Sequence, residues 1–160
     1  MKLSFIAIGL FFCSILSAQV PYKTAVGLRF GGTEGLTIKA ALKNNAAIEG
    51  IIGLHPYGYS VTGLYEKYQA SGISKVQLYY GAGAHIGRNT YNNYYYKKDR
   101  QYFVYRQENA FGIDAIIGLE YKFDKAPIAI SLDLKPAIHF YQYGGSALFI
   151  DPGLGLKAAF

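Results

Sequence analysis

The strongest constraint on the fold is a two-residue alternation between apolar side chains and glycine or single charged residues. In the last segment, Leu154, Leu156 and Phe160 fall on one face of an extended strand, and Gly155 and Lys157 fall on the other. Successive side chains of a strand point to opposite faces, so this period predicts β-strands rather than helices.

The same alternation recurs along the chain and predicts eight strands. Seven of them cover residues 24–31, 35–42, 46–54, 59–68, 76–87, 113–123 and 128–140, and the terminal segment is the eighth. Glycine, asparagine, aspartate and proline between them favour turns. Each segment is close to the ~9–11 residues that a tilted strand needs to cross a bilayer. Pro136 lacks an N–H group, and predicts a bulge or a local end to pairing in the seventh strand.

The distribution of charge favours a membrane barrel over a soluble one. One face of nearly every segment is aliphatic or aromatic, whereas the other combines glycine with five basic and five acidic residues: Arg29, Lys39, Glu49, Glu66, Asp114, Glu120, Lys122, Asp133, Lys135 and Lys157. In a narrow lumen these charges can pair with each other while the apolar face meets lipid. The sequence therefore predicts an all-β, eight-stranded, antiparallel up-and-down transmembrane β-barrel. A soluble, lipocalin-like ligand-binding barrel is the alternative, although only 16% of residues are charged.

The first 18 residues have the pattern of a signal peptide. Lys2 precedes an apolar run from Leu3 to Leu16, and Ser17 and Ala18 supply small residues at a cleavage site. We expect cleavage after Ala18 and one barrel domain over residues 19–160, with the exact bond left open by the large Leu16. The only cysteine, Cys13, would leave with this segment, which excludes disulfides and cysteine metal sites from the barrel.

An even number of strands places both termini on one side, which we expect to be the periplasm. The connections 32–34, 55–58, 88–109 and 141–147 then lie outside, and the connections 43–45, 69–74 and 124–126 lie inside. The longest connection is an outer one, as is usual for bacterial outer-membrane barrels.

With these features the chain resembles small eight-stranded outer-membrane barrels of the OmpX and OmpA-barrel type. It is most similar to the outer-membrane β-barrel-domain proteins of Gram-negative Bacteroidetes. The resemblance rests on the Ser17-Ala18-Gln19 junction, the Gly-x-Gly strands at residues 81–83 and 153–155, and Phe160. It implies a location in the outer membrane among lipopolysaccharide, and recognition of the C-terminal strand, ending in Phe160, by the barrel-assembly machinery. The chain has no tryptophan, so tyrosines such as Tyr65, Tyr80 and Tyr121 are expected to form the interfacial girdles.

The connection 88–109 is the best candidate for a binding surface. It interleaves tyrosines with cations, and rings beside cations can grip sugars or anionic groups. The candidate residues are Arg88, Tyr91, Tyr94, Tyr95, Tyr96, Lys97, Lys98, Arg100, Tyr102, Tyr105 and Arg106. Lipopolysaccharide phosphates, a surface glycan or a protein ligand are the plausible partners, and nucleic acid is not expected. The alternative interpretation is a tyrosine-rich hairpin formed by simple extension of the two flanking strands.

The histidines allow an enzymatic alternative, a barrel that modifies lipid A or phospholipid through His139. No serine of the expected kind is close to His139 in sequence, and both His139 and His85 could instead bond a carboxylate such as Asp114. We therefore predict no catalytic residues, no metal and no cofactor. An eight-stranded lumen filled by charged side chains also predicts negligible passive flux of solutes.

Overall fold

The computed structural model describes residues 19–55, 58–97, 100–142 and 145–160, with the side chains of residues 55 and 89–106 excepted. The predicted signal peptide, residues 1–18, lies outside these ranges. Eight strands form a closed antiparallel barrel in which each strand pairs with its neighbours in sequence and β1 pairs with β8. Their bounds are β1 Thr24–Gly31, β2 Gly35–Leu42, β3 Ala46–His55, β4 Gly58–Ala70, β5 Val76–Lys97, β6 Arg100–Lys122, β7 Ile128–Tyr141 and β8 Ser146–Ala159.

The connections divide between the two ends of the barrel. One end, called the loop end, carries the connections after β1, β3, β5 and β7. The opposite end, called the terminal end, carries the connections after β2, β4 and β6, together with the start of β1 and the end of β8. Asn44 and Asn45 adopt positive φ angles of 61° and 57° in the tight connection after β2, a conformation that asparagine tolerates better than most residues. In the part of the chain that the structure describes, no helix is long and apolar enough to cross a membrane.

The predicted all-β fold, the number of strands and their antiparallel order are confirmed. Of the two interpretations of the connection 88–109, extension of the flanking strands is the one observed. There β5 and β6 continue as a paired ribbon up to Lys97↔Arg100 and form the alternative hairpin in place of an irregular outer loop. Tyrosine has a high β propensity, and pairing across the ribbon satisfies backbone groups that a loop of this length would leave to water.

Pro136 marks a local gap in the ladder. The β6–β7 pairs run to Asp114↔Ala137 and resume at Ile117↔Leu134, whereas β8 pairs with β7 throughout, including Pro136↔Ile150. The register is the same on both sides of the gap, so no residue is inserted. Of the two predicted outcomes, a local end to pairing is therefore the one observed.

The alternation along each strand produces an interior and an exterior of opposite chemistry. Along β6, Gly112, Asp114, Ile116, Gly118 and Glu120 are buried, and the residues between them are exposed. The outward-facing Ile113 and Ile117 are 56% and 51% exposed, whereas the inward-facing Glu120 is 1% exposed. The barrel therefore places charge inside and apolar surface outside.

Candidate functional site

The interior contains nine of the ten charged residues predicted to line the lumen. Each of the nine is at most 5% exposed. The tenth, Lys122, is half-buried at the terminal end, where its ammonium lies 3.3 Å from the carbonyl oxygen of Phe123. A further carboxylate, Asp151, is 8% exposed and belongs to the same interior, although the sequence analysis did not select it.

Near the terminal end, two lysines bridge three glutamates. The ammonium of Lys39 lies 2.7 Å from Glu66 and 3.2 Å from Glu49, and that of Lys157 lies 3.3 Å from both Glu49 and Glu120. Buried charges are tolerated only when they are paired and hydrogen-bonded, which this arrangement provides. These five residues form the terminal-end cluster.

Aromatic rings extend the terminal-end cluster. The Lys39 ammonium lies 4.2 Å from the centre of the Tyr79 ring, and the Tyr68 and Tyr79 rings stack at 5.5 Å. A cation over a ring face is attracted by the ring quadrupole, and the attraction strengthens when water is excluded. The rings therefore fill the lumen and stabilise its most buried cation.

The segment before β1 closes the terminal end of the lumen. Tyr22 is 7% exposed, and its hydroxyl donates to Glu120 at 2.8 Å. Val20 packs against the buried apolar side chains there. The backbone N–H of Lys23 donates to the carbonyl oxygen of Phe160 at 2.7 Å, which ties this segment to the end of β8. Phe160 itself, the predicted assembly signal, is 71% exposed at this end.

A second ionic cluster lies nearer the loop end. Arg29 pairs with Asp133 at 2.6 Å and with Asp151 at 3.1 Å, and Lys135 pairs with Asp114 and Asp151, each at 3.2 Å. We call these five residues the loop-end cluster. Through it, charges from β1, β6, β7 and β8 are joined across the lumen.

Glycine leaves room for these long side chains. A Cβ atom on Gly153 would overlap the Arg29 guanidinium, and one on Gly118 would overlap the ring of Tyr79. Because protein interiors are close-packed, a larger residue at either position would displace the group that fills the space. The glycine-rich inner face is therefore a packing requirement of the ionic interior.

The two histidines of the enzymatic alternative lie together beside the loop-end cluster. His85 Nδ1 lies 2.8 Å from a carboxylate oxygen of Asp114, as the sequence analysis considered, and the rings of His85 and His139 are 4.3 Å apart. His139 also meets Phe149, with ring centres 4.6 Å apart. In the described part of the chain, no group of three or more His, Cys, Asp or Glu residues is placed to hold a metal ion.

A cavity of about 190 Å³ lies above the histidines at the loop end. Its wall is formed in part by Ser60, Thr62, Phe149 and both histidines. The Asp114 carboxylate accepts from Lys135 and lies within hydrogen-bond distance of His85, so its oxygens are already satisfied. The cavity is thus a recess of mixed polar and apolar lining that ends on the ion-paired interior.

The exterior is an apolar belt that surrounds the barrel. Large apolar side chains from all eight strands are exposed there, among them Leu28, Ile38, Ile52, Val61, Ile86, Ile117, Leu132 and Leu156. Tyr65 and Tyr80, two of the predicted girdle residues, are 48% and 47% exposed on this surface, and Tyr121 is half-buried. Monomeric soluble proteins rarely expose continuous apolar patches beyond a few hundred Å².

The hairpin, residues 88–109, extends β5 and β6 beyond the loop end. Its strands are paired from Arg88↔Asn109 to Lys97↔Arg100. Arg88 is exposed, and its Nε donates to the side-chain oxygen of Asn109 at 3.0 Å. The predicted binding residue Lys98 lies outside the described residues. For the other predicted binding residues of the hairpin, the structure gives only the backbone register; they are Tyr91, Tyr94, Tyr95, Tyr96, Lys97, Arg100, Tyr102, Tyr105 and Arg106.

An exposed ion pair links two connections at the terminal end. Lys75, before β5, pairs with Asp124, after β6. The hydrogen bond and the charge of Lys75 lower the pKa of the Asp124 carboxyl, and the same contact raises the pKa of Lys75. Both side chains are more than half exposed, so water screens the pair.

Comparison with known proteins gives no independent assignment. No protein-family model, curated protein or solved structure matches this chain. The interior, the exterior and the hairpin therefore provide the only indications of function within the described residues.

Proposed function

We propose that this protein is an integral β-barrel of the bacterial outer membrane with a non-enzymatic, structural or surface-interaction role. One observation carries the proposal: the barrel exposes its apolar side chains and pairs its charges inside. This is the arrangement that a bilayer requires, because lipid offers no partner for charges or for unpaired backbone groups. Closure of the ladder between β1 and β8 leaves no open first or last strand in the barrel body.

A soluble ligand-binding barrel requires the opposite distribution. It would need charged side chains toward water and an apolar pocket inside, whereas here Lys39 and Glu66 are fully buried and Leu132 is 62% exposed. At about 25 cal/mol for each Å² of apolar surface, the exposed belt would strongly favour association of the protein in water. In a bilayer the belt contacts lipid, so the free-energy cost of exposing apolar surface to water does not arise.

The filled interior argues against a solute channel. Eight-stranded barrels have a lumen that side chains can fill. From the terminal end toward the loop end, Tyr22, the terminal-end cluster and the loop-end cluster fill it in that order. We expect liposomes containing the folded protein to show solute flux no faster than empty liposomes.

In this proposal the terminal end faces the periplasm and the loop end faces outward. The hairpin then stands among lipopolysaccharide and surface glycans, and the exposed Phe160 is available to the barrel-assembly machinery. Long outer connections and short periplasmic turns are the usual arrangement in such barrels. The hairpin is the part of the molecule that offers polar and aromatic groups to a partner outside the membrane.

Membrane fractionation combined with a gel-shift assay tests the proposal. We expect the protein in the outer-membrane fraction, and we expect unboiled and boiled samples to migrate differently, as folded barrels do. Recovery in the soluble fraction would contradict the proposal. Lipid A mass spectra from a deletion strain test the enzymatic alternative: an altered acyl pattern restored by the wild type but not by His139→Ala would replace the non-enzymatic role.

A further inference from the structure

We infer that the recess at the loop end holds a site for a divalent transition-metal ion, with the imidazoles of His85 and His139 as its two protein ligands. The recess is the cavity of about 190 Å³ above the histidines. The inference goes beyond the proposed function, because a metal site here follows from the loop-end geometry alone. No metal is predicted from the sequence, since the spacing of the histidines along the chain does not favour a site.

The strand pairing brings the two histidines together across a glycine. His85 on β5 pairs with Gly112 on β6, and Gly112 pairs with His139 on β7, so the three residues form one row on the inner face. A Cβ atom on Gly112 would overlap Cε1 and Nε2 of the His85 ring. Because the middle residue has no side chain, the two rings meet with their centres only 4.3 Å apart.

Asp114 determines which nitrogen of His85 is available to an ion. Nδ1 of His85 lies 2.8 Å from a carboxylate oxygen of Asp114, and an ionised carboxylate only accepts, so Nδ1 carries the proton. Neutral His85 then has its lone pair on Nε2. Histidines that bind metal ions almost always donate their other ring N–H to a carboxylate, carbonyl or water oxygen, which orients the ring and raises its basicity.

His85 Nε2 is an unsatisfied buried atom beside the recess. The residue is 6% exposed, and no group of the described residues forms a hydrogen bond with its Nε2. Buried polar atoms are normally paired, so an orphaned one needs an explanation, such as an ion. A metal ion gives this nitrogen the partner that the described part of the protein does not supply.

The charge around the recess favours a cation. The loop-end cluster contains three carboxylates and two basic groups, so one negative charge is unbalanced when His85 is neutral. Lys135 also lines the recess, but its ammonium lies 3.2 Å from both Asp114 and Asp151, which offset its charge. A second proton on His85 would restore the balance as a metal ion does. That proton would be a buried donor with no acceptor among the described residues, so the metal ion is favoured.

The ligand atoms select the class of metal. Imidazole suits Cu²⁺, Zn²⁺ and Ni²⁺, whereas Mg²⁺ and Ca²⁺ prefer oxygen ligands. One ion at ~2.0–2.1 Å from each nitrogen joins two nitrogens about 3 Å apart, which ring centres at 4.3 Å allow. Water completes the shell, because the described residues contain no group of three or more His, Cys, Asp or Glu placed to hold a metal. The site is therefore exchangeable, and the exposed Gly32 in its wall marks the side open to solvent.

The test titrates the folded protein, prepared without a histidine tag in detergent micelles, with Zn²⁺ and with Mg²⁺ as the control ion. Calorimetry is expected to show Zn²⁺ binding at one ion for each barrel, and no binding of Mg²⁺. His85→Ala and His139→Ala are each expected to weaken Zn²⁺ binding at least about 100-fold, and Asp114→Asn, which keeps both imidazoles, about tenfold. The matched control His55→Ala removes the third histidine of the chain and is expected to leave binding unchanged.

Cu²⁺ supplies a readout that a loss of stability would not mimic. The electron paramagnetic resonance spectrum of bound Cu²⁺ reports how many imidazole nitrogens coordinate the ion. We expect two in the wild type and in His55→Ala, and one in His85→Ala or His139→Ala. A spectrum without imidazole nitrogens would overturn the inference, as would an effect of His55→Ala equal to that of the other two variants.

The gel shift on boiling separates this inference from the proposed function. A wild-type protein that shows the shift, fractionates with the outer membrane and fails to bind Zn²⁺ and Cu²⁺ contradicts the inference alone. A protein recovered in the soluble fraction contradicts the proposed function, whatever it binds. Each variant is first shown to retain the shift. His139→Ala is the variant least expected to disturb folding, because His139 is half-buried and lies outside the loop-end cluster.

Discussion

The barrel body and the hairpin are made from the same two strands, yet their faces carry different chemistry. In the body, β5 and β6 set exposed Ile86, Ile113 and Ile117 against buried His85 and Asp114. In the hairpin, the same alternation sets neutral tyrosines and amides against tyrosines and cations. The backbone imposes a period of two in both regions. In the proposed location, the side chains placed on that period match different surroundings: lipid and an ion-paired lumen for the body, and water for the hairpin.

The largest expected difference between the regions is the cost of removing a buried cation. Lys39→Met leaves Glu49 and Glu66 without their nearest cation and is expected to lower the free energy of unfolding by about 3–5 kcal/mol. The matched variant Lys97→Met, in the hairpin, is expected to change it by less than about 0.5 kcal/mol. Urea unfolding from lipid vesicles measures both.

A small effect of Lys39→Met would mean that the terminal-end cluster is hydrated and not a dry ionic core. The double variant Lys39→Met/Glu66→Gln sharpens the result. Because it removes a carboxylate together with the cation, it is expected to be more stable than Lys39→Met alone.

The next largest difference concerns charge on the outer surface. Ile117 is 51% exposed near the middle of its strand in the barrel, and Ile117→Lys is expected to cost about 2–4 kcal/mol because the ammonium enters the hydrocarbon. Tyr94→Lys places the same side chain in the hairpin, beyond the barrel body, where little change is expected. Unfolding from vesicles compares the two variants, and equal costs would contradict the division into lipid-facing body and hydrated hairpin.

Excision of the hairpin is expected to have a still smaller effect on folding. Arg88 and Asn109 are paired opposite each other, so an Asn-Gly turn in place of residues 89–108 can close the two strands directly. We expect the shortened protein to retain its gel shift and to fractionate with the outer membrane. Failure of the shortened barrel to fold would show that the hairpin contributes to assembly as well as to the surface.

The smallest expected effect is at the exposed pair Lys75–Asp124. The pKa of Asp124 is lowered in the folded state, so its contribution to stability is present above its unfolded pKa and is lost as pH falls through the folded pKa. Lys75→Met is expected to raise the pKa of Asp124 toward its ordinary value, as measured by carboxyl carbon NMR, and high salt is expected to act in the same direction. An unchanged pKa would show that the contact is absent in solution.

Much of the fold could be predicted because the alternation is local and strict. The apolar residues at alternate positions of 128–134 predict the seventh strand and show which of its faces is turned outward. The glycine and lysine of the last segment do the same for the eighth strand. Over residues 88–109 the sequence left a binding loop and an extended hairpin both open, because both faces of that segment are polar or aromatic and the alternation has no contrast there. The backbone pairing that continues from the barrel identifies this segment as a hairpin.

The interior charges were predictable for the same reason, and three residues were exceptions, two of them at or beyond a strand end. Asp151 stands directly before Pro152 and only a few residues after the predicted connection 141–147, so it was not assigned to the interior. Its position nevertheless fits the alternation, because counting back in steps of two from Lys157 reaches it. Tyr22 lies before β1, so no strand pattern could place its hydroxyl beside Glu120. Lys122 alternates in step with the inward-facing residues of β6. It is the last residue of that strand, however, and lies at the barrel rim, where the lumen no longer encloses it.

The central claim is that the barrel exterior contacts lipid while the hairpin does not. The chain contains no tryptophan, so a single introduced tryptophan reports its own surroundings without background. In vesicles that contain lipids brominated on the acyl chain, we expect strong fluorescence quenching for Ile117→Trp and Leu132→Trp, and little quenching for Tyr94→Trp. Quenching that is equally weak at all three positions would contradict the account.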